Sequence, residues 1–427
     1  MMIFVLIFMN LLLWNIFTPI FEAADEPGYY QQAYFLAHER QMPNLNNPPQ
    51  NAGVMTYPPT YYLPLVPIVW LTQSPSINDP IAIQERENFR QGWRYQKFNR
   101  FQHSSAEVYW RWDKLGWAIR LMRLVANLWG IGTIILVYLT ARQLFSNENK
   151  AMLATLFVGF NPMFAHLNST VIVVNLLIFL ASLMWYWLIK WRSFTFKKAV
   201  VLGSVIGLAT ITKATGLLLL PIAGTRMLMT RAEKKDWLGL VLGVGLTAGW
   251  WFVRNIFLYG SLLATDKVIA TTGTRAFMIQ QLGPINYWVG FFTSQWATFW
   301  TGYGWSAVYF SKTVLGILLV LVALAIWGIA KSREKKLRFF IGAVIFWWSM
   351  LMMAHAKFPT FHAKDLYPMI IPISLLVVAG WDRIWQIGKL PKLGNRWLMG
   401  VILILFLINA AYLLLDVSPK LFGRQSF

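Results

Sequence analysis

Residues 120–145 read RLMRLVANLWGIGTIILVYLTARQLF. From Leu121 to Ala141 the run is apolar over the roughly 20 residues a helix needs to cross about 30 Å of hydrocarbon, and it ends on Arg142. Ten further stretches have the same character, at 2–21, 151–168, 170–189, 199–213, 214–230, 237–257, 313–330, 338–354, 366–382 and 397–415. Every backbone polar group in lipid must be satisfied within its own segment, so these stretches predict helices and an all-α polytopic membrane protein with about eleven spans. Composition agrees. Of 427 residues, 57% are hydrophobic, 16% aromatic and 13% charged, and the mean hydropathy is +0.49. That excludes a soluble enzyme, a disordered regulator and a fibrous repeat.

The formal charge of +21 would suggest nucleic acid in a soluble chain. Here it reads first as topology, because short cytoplasmic loops collect Lys and Arg. With the N-terminus cytoplasmic, the inner turns hold Arg142 and Lys150; Lys190, Arg192, Lys197 and Lys198; Arg226, Arg231, Lys234 and Lys235; Lys331, Arg333, Lys335, Lys336 and Arg338; and Arg383, Lys389, Lys392 and Arg396. Half of the 38 basic residues thus sit in five turns, and nucleic acid is not an expected partner. The turn at Lys213 carries the most weight, since one long helix from Val200 to Met229 would invert everything after it. Residues 1–21 read as a retained span: no basic stretch precedes them, and Glu22 occupies the place where a signal-peptide cut before Asp25 needs a small residue. The chain has no cysteine, which removes thiol chemistry and disulfides.

The spans divide the chain into a first helix (1–21), an outer loop domain (22–119), helices two to seven (120–257), a second outer loop (258–312), helices eight to eleven (313–415) and an outer tail (416–427). The first loop holds nine of the 17 acids, Asp25 and Glu26 among them. Long loops on a rigid scaffold are where function usually sits, so a site between the two outer loops is expected. Residues 28–40 have helical spacing and predict an amphipathic helix on the membrane surface. The acid pair Asp25-Glu26 just before it has two readings, a cap favoured by the helix dipole or catalytic carboxylates. Tyr57-Pro58-Pro59-Thr60-Tyr61-Tyr62 fixes an extended turn ringed by tyrosines. Residues 84–114 interleave arginines with aromatics, either as a solvated face or as a grip on anionic headgroups or an acidic or sugar-bearing partner. Basic groups at outer helix ends, Lys213, Arg254, Lys357 and Lys364 with His355 and His362, read singly as snorkelling side chains and together as a phosphate or pyrophosphate site. Asn168-Ser169-Thr170 fits a glycosylation pattern but lies between two spans with almost no loop. No P-loop, dinucleotide fingerprint, HExxH or nucleophile elbow is present.

The order of these motifs resembles the GT-C superfamily of membrane glycosyltransferases, which includes protein mannosyltransferases and the lipid A aminoarabinose transferase. The resemblance rests on TPIFEAADEPGYYQQAYFLAHERQMP at 18–43, the tyrosine turn, the stretch at 120–145, Asn161-Pro162-Met163, ITKATG at 211–216, Trp250 to Asn255, Phe299 to Trp305, and FHAKDLYP at 361–368. It spans about residues 15–385 and is closest to an uncharacterised bacterial branch. Two departures stand out. Val173-Val174-Asn175 replaces an Asn-Asp pair of that branch, and Lys364-Asp365 replaces Arg-Tyr.

The resemblance implies transfer of a sugar from a polyprenyl-phosphate donor to an acceptor hydroxyl on the extracytoplasmic face of a bacterial inner membrane. Asp25 would be the base, and Glu26 its understudy or a positioning group. Lys364 and Arg254, then Lys213 and Arg275, would clamp the phosphate, with Tyr57, Tyr61, Tyr62 and His362 lining the sugar or acceptor pocket. Phosphate leaves without being protonated, so a base and a cationic clamp suffice, and direct displacement inverts the anomeric carbon. The expected partners are the polyprenyl-phosphate-linked sugar, membrane lipids and an acceptor protein, lipid or polysaccharide. Membership of a membrane-protein complex stays open. No cofactor is certain, and Asp25, Glu26 and His362 would hold a divalent cation only if the fold gathered them. Two rivals remain: a catalytically silent GT-C-like scaffold binding lipid or a protein partner, and a lipid transporter, which would show repeated halves that this chain lacks.

Overall fold

In the computed structural model of this protein the described residues are all except 1, 43, 47–57, 80–82, 84–99, 104–112, 265–274, 333, 356–361, 389–394 and 423–427, with backbone only at 275–278 and 395–399. The apolar stretches fold as helices, as their inability to leave backbone groups unpaired in lipid requires. The first half runs α1 (Met2–Phe17), α2 (Glu26–Glu39), α3 (Val66–Thr72), α4 (Lys114–Phe145), α5 (Glu148–Gly159), α6 (Pro162–Leu167), α7 (Val173–Lys190) and α8 (Phe196–Thr210). The second half continues with α9 (Leu219–Met229), α10 (Lys234–Tyr259), α11 (Arg275–Leu282), α12 (Pro284–Trp300), α13 (Lys312–Ala330), α14 (Leu337–Ala354), α15 (Ile370–Ile387) and α16 (Asn395–Tyr412). The only strand-like pairing among the described residues is an isolated bridge between Tyr303 and Val308.

Seven helices among the described residues are long and apolar enough to cross a membrane. They match seven of the eleven expected spans; the other four are shorter or broken. The stretch 151–168 is two pieces, because Asn161 turns its side chain back onto the amides of Met163 (3.0 Å) and Phe164 (3.1 Å), and Pro162 then opens α6. The turn at Lys213 is real: α8 stops at Thr210, and the chain folds so closely that a Cβ on Gly216 would lie 2.3 Å from the Ala209 backbone. The α8–α10 crossing is equally close, with Gly203 against the Leu240 carbonyl and Gly243 against that of Val200. By contrast only 11% of the most apolar window of α13 is buried, which leaves that helix to lipid.

Two groups of chain segments meet at the helix ends. At one end Lys336 donates to the Leu144 carbonyl (3.3 Å) and Lys150 pairs with Asp382 (2.7 Å). At the other, the tail meets the first loop, with Phe422 edge-on to His103 at 5.5 Å.

The structure adds detail to both loops. α2 is packed into the body, and only His38 and Glu39 at its end are exposed. Its polar side chains are used internally: Tyr30 donates to the Pro75 carbonyl (2.6 Å), and the Gln31 amide oxygen accepts from Ile77 N (3.2 Å). The second loop, 258–312, contains the 17-residue apolar helix α12, which shows Ile285, Val289 and Phe292 to the exterior.

What holds α2 against the bundle is a buried ion pair. Arg123 of α4 donates Nε to Glu26 Oε1 (2.8 Å) and Nη2 to Oε2 (2.6 Å), and both side chains are fully buried. The remaining guanidinium hydrogens reach the carbonyls of Asn15 (3.0 Å), Thr18 (2.6 Å) and Pro19 (2.9 Å), which satisfies the open end of α1. Glu26 also accepts from Phe21 N and Val171 N, each at 3.0 Å. Arg120, one turn earlier, donates to Asn15 and Thr18 carbonyls, and Asn127 one turn later donates to the Asn168 carbonyl (2.7 Å). A fully bonded pair is tolerated in such a place; a half pair is not. Replacing Glu26 by Ala is expected to destabilise the protein by about 3–5 kcal/mol, read as a lower thermal midpoint in detergent, whereas Glu26→Met combined with Arg123→Met recovers much of the loss. Equal damage from the single and double variants would contradict this account.

Candidate active site

The turn between α1 and α2 sets the site. Phe21 and Asp25 both have left-handed backbones (φ 63° and 68°), a conformation that a bulky Phe adopts only when its surroundings impose it. Here the Glu26 carboxylate imposes it by accepting the Phe21 amide. Asp25 occupies the N-cap position of α2, yet its side chain makes no capping bond. Beside it the wholly buried Glu22 anchors the far end of the first loop, accepting from Arg100 N (2.8 Å), Phe101 N (2.8 Å) and His103 Nε2 (3.0 Å). Burial pushes the Glu22 carboxyl above its ordinary range despite these donors. Arg100 in turn stacks its guanidinium 4.3 Å from the Trp305 ring.

Asp25 meets Lys364, whose Nζ donates to Oδ2 at 2.8 Å across 339 residues of chain. Lys364 and Asp365 open a 3-10 turn (Ala363–Met369) that three bonds hold: Ala363 N to Thr298 Oγ1 (2.8 Å), Trp347 Nε1 to the Asp365 carbonyl (2.8 Å), and the Tyr367 hydroxyl to the Phe299 carbonyl (2.6 Å). Successive residues of a 3-10 turn point about 120° apart. Lys364 therefore faces Asp25 while Asp365 faces Lys213, with which it forms a second ion pair. His362 caps the turn, its Nδ1 accepting from Lys364 N at 3.1 Å, and its other nitrogen lies beside Gly302. A Cβ at Gly302 would stand 3.0 Å from Thr298 Cγ2, and its φ of 98° suits glycine.

The electrostatics follow from this packing. Lys364 beside Asp25 holds that carboxyl below its ordinary 3.8, against the upward push of burial and with help from His362 and Lys213. Burial, then the neighbouring Lys364, lowers His362 to about 4, so it is a neutral imidazole at neutral pH. The two pairs differ in access. The Lys364 and Asp25 side chains are 18% and 43% exposed, those of Lys213 and Asp365 11% and 13%. The first pair is open to a ligand and the second is nearly closed.

Of the residues singled out in the sequence, the fold brings Asp25, Lys364, Lys213 and His362 together. Glu26, one residue from Asp25, is turned into the body, where its oxygens are engaged by Arg123, Phe21 and Val171. The Arg254 guanidinium lies over the rings of Trp251 (5.0 Å) and Tyr259 (5.8 Å). Tyr61 and Tyr62 are fully buried, packed on each other and on Tyr29, with Tyr61 also against Trp129. Tyr57 and Lys357 lie outside the described residues, and Arg275 begins α11 with only its backbone described. His355 is buried edge-on to Phe291 at 5.2 Å. Among the described residues no group of three or more His, Asp or Glu is placed to hold a metal ion, and the trio Asp25, Glu26 and His362 is not assembled, because Glu26 points elsewhere.

Sequence reasoning passed over Arg120, Arg123 and Asn127. Their signal was legible: polar groups at i, i+3 and i+7 share one face of an apolar helix, and ionisable groups at such depth need partners.

Comparison with known proteins gives a consistent result. Residues 113–252 match the family described as dolichyl-phosphate-mannose-protein mannosyltransferase. The structure is similar to the crystal structure of ArnT from Cupriavidus metallidurans bound to undecaprenyl phosphate, with TM-score 0.55 and 14% identity over 98% of this chain and 73% of that one. It is also similar to the oligosaccharyltransferase of Archaeoglobus fulgidus tethered to an acceptor peptide, with TM-score 0.51 and 12% identity over 99% of this chain. The chain spans only 55% of the latter protein. No curated protein matches the sequence. The match to the mannosyltransferase family from α4 into α10 and the likeness over nearly the whole chain show that this integral membrane protein has the fold shared by ArnT and the oligosaccharyltransferase.

Proposed function

We propose that this protein transfers a sugar from a polyprenyl-phosphate donor to an acceptor hydroxyl, with inversion, at the extracytoplasmic face of a bacterial plasma membrane. The observation that carries the reading is the Asp25 carboxylate, uncommitted to its helix cap and set against Lys364 with Lys213 close by. A base and a cation at one site are what the reaction needs: the acceptor must lose a proton, and the departing phosphate gains negative charge. The undecaprenyl phosphate bound to the similar ArnT supports a prenyl-phosphate donor, and the acceptor peptide tethered to the oligosaccharyltransferase supports an acceptor meeting the same fold.

In this reading Asp25 takes the proton, Lys364 faces the phosphate, and Lys213 supports both. Glu26 is a positioning residue, since its bonds to Phe21 N and Arg123 shape the turn that presents Asp25. Arg254 lies over Trp251 and Tyr259, and His362, neutral and fixed by Lys364 N, borders the acceptor side. The pairing of both lysines with carboxylates also suits the silent-scaffold reading, and transfer assays separate the two.

Purified protein in lipid nanodiscs, given a panel of polyprenyl-phosphate sugars and monitored for free polyprenyl phosphate, is expected to turn over at least one donor. Asp25→Asn should lower that rate by about 10²–10⁴, the usual contribution of a positioned general base, with expression and detergent stability unchanged. Full activity in that variant would remove Asp25 from the base role. The pH profile gives an independent check. The limb of kcat/KM reports the free enzyme, where Lys364 keeps Asp25 ionised to below its ordinary 3.8. Lys364→Gln removes the largest cause of that depression, so its residual activity should fall away at higher pH than that of the parent protein. An unmoved acid limb would mean that the titrating base is another group.

A further inference from the structure

Resting on that function, we propose that Lys364 exchanges partners during the reaction: Asp25 holds it in the donor-free protein, and the departing phosphate holds it once Asp25 has accepted the acceptor's proton.

The argument starts from charge. With His362 neutral, the cluster among the described residues holds Asp25 and Asp365 against Lys364 and Lys213, two negative groups and two positive ones. A polyprenyl-phosphate sugar is a phosphodiester with one negative charge, while free polyprenyl phosphate carries about −1.5 to −2 at neutral pH. Bond cleavage therefore deposits almost one further charge on the phosphate. A site of low exposure must supply a counter-charge at that moment or pay heavily for it.

Proton transfer to Asp25 supplies it. The acceptor oxygen forms its bond to the anomeric carbon with a lone pair and gives its proton to a carboxylate oxygen of Asp25. The bond from the anomeric carbon to the phosphate oxygen breaks, and its electron pair stays on the phosphate. Asp25 has then lost one negative charge and the phosphate has gained one. Lys364, 2.8 Å from Asp25 Oδ2 at the outset, loses its counter-ion as the phosphate acquires a need for one. The charge of cluster plus ligand is unchanged throughout, and no buried lysine is left bare.

The structure also says which lysine moves. Lys364 pairs with the more open carboxylate, 43% exposed, on a flexible side chain that can swing. Lys213 is confined with Asp365 in the nearly closed pair, and the Asp365 backbone is pinned by Trp347 Nε1 at 2.8 Å. Asp365 is thus a positioning residue that keeps Lys213 from replacing Lys364 at Asp25.

The exchange is tested by equilibrium binding of undecaprenyl phosphate, with undecaprenol as the uncharged control, to the full-length protein in nanodiscs at neutral pH. Asp25→Asn stands in for the protonated carboxyl, and Asn tolerates the left-handed backbone at this position, so folding should survive; Asp25→Ser is the second variant if it does not. Asp25→Asn is expected to bind undecaprenyl phosphate roughly two- to fivefold tighter than the parent, the scale of a partly exposed ion pair gained. Lys364→Gln should bind it more weakly, and the Asp25→Asn/Lys364→Gln double variant should match Lys364→Gln alone. Absence of any gain in Asp25→Asn overturns the exchange. So does a gain that persists in the double variant, because Asp25 would then act by simple repulsion or through Lys213. If no form of the protein distinguishes undecaprenyl phosphate from undecaprenol, the prenyl-phosphate function fails and the exchange fails with it.

Discussion

The site depends on the meeting of Glu26 and Arg123, two charges with no access to water. Isolating either one in an apolar body costs several kcal/mol, so the fold must join them with every remaining lone pair and hydrogen engaged. That requirement joins four parts of the chain. Arg123 comes from α4, its other hydrogens close the end of α1, Glu26 begins α2, and Val171 brings in the segment before α7. The geometry leaves Phe21 and Asp25 in left-handed turns, and those turns aim the Asp25 carboxylate away from the body and toward Lys364. A structural ion pair and a chemical one are thus adjacent in sequence and opposite in direction.

The same economy governs the far side of the site. The segment at 362–367 is tied at three points: the Ala363 amide to Thr298, the Asp365 carbonyl to Trp347, and the Tyr367 hydroxyl to Phe299. Tying the backbone lets Lys364 remain the mobile member, because a flexible side chain on a rigid turn can change partners without moving the scaffold. Burial differs between the two ion pairs, Asp25 being the most open of the four side chains and Lys213 and Asp365 nearly closed.

Much of the architecture was legible because lipid enforces simple rules. Apolar runs became helices, and the turn at Lys213 proved to be a true break, as the basic turns on either side of it required. Where the architecture was less legible, a side chain had taken over a backbone duty. Asn161 capped α6 and split a stretch that hydropathy treats as continuous. Gln31 and Tyr30 spent their polar atoms on loop carbonyls and amides, so a helix with an amphipathic pattern was absorbed into the body. Arg120 and Arg123 belonged to the site's foundations, although an arginine inside an apolar run reads as easily as a snorkelling end.

The sequence by itself determined the solvent and the kinds of residue that could do chemistry, because hydropathy acts through composition and order. It also named Asp25, Lys213, Lys364 and His362. Only the tertiary structure decided that Asp25 is presented while its neighbour Glu26 is consumed, since that depends on a left-handed turn whose cause is an arginine 97 residues away. Only the tertiary structure decided that Lys364 answers Asp25 and Lys213 answers Asp365. The physical reason is that an ion pair in an apolar body is chosen by desolvation and geometry, and both are properties of the packed chain.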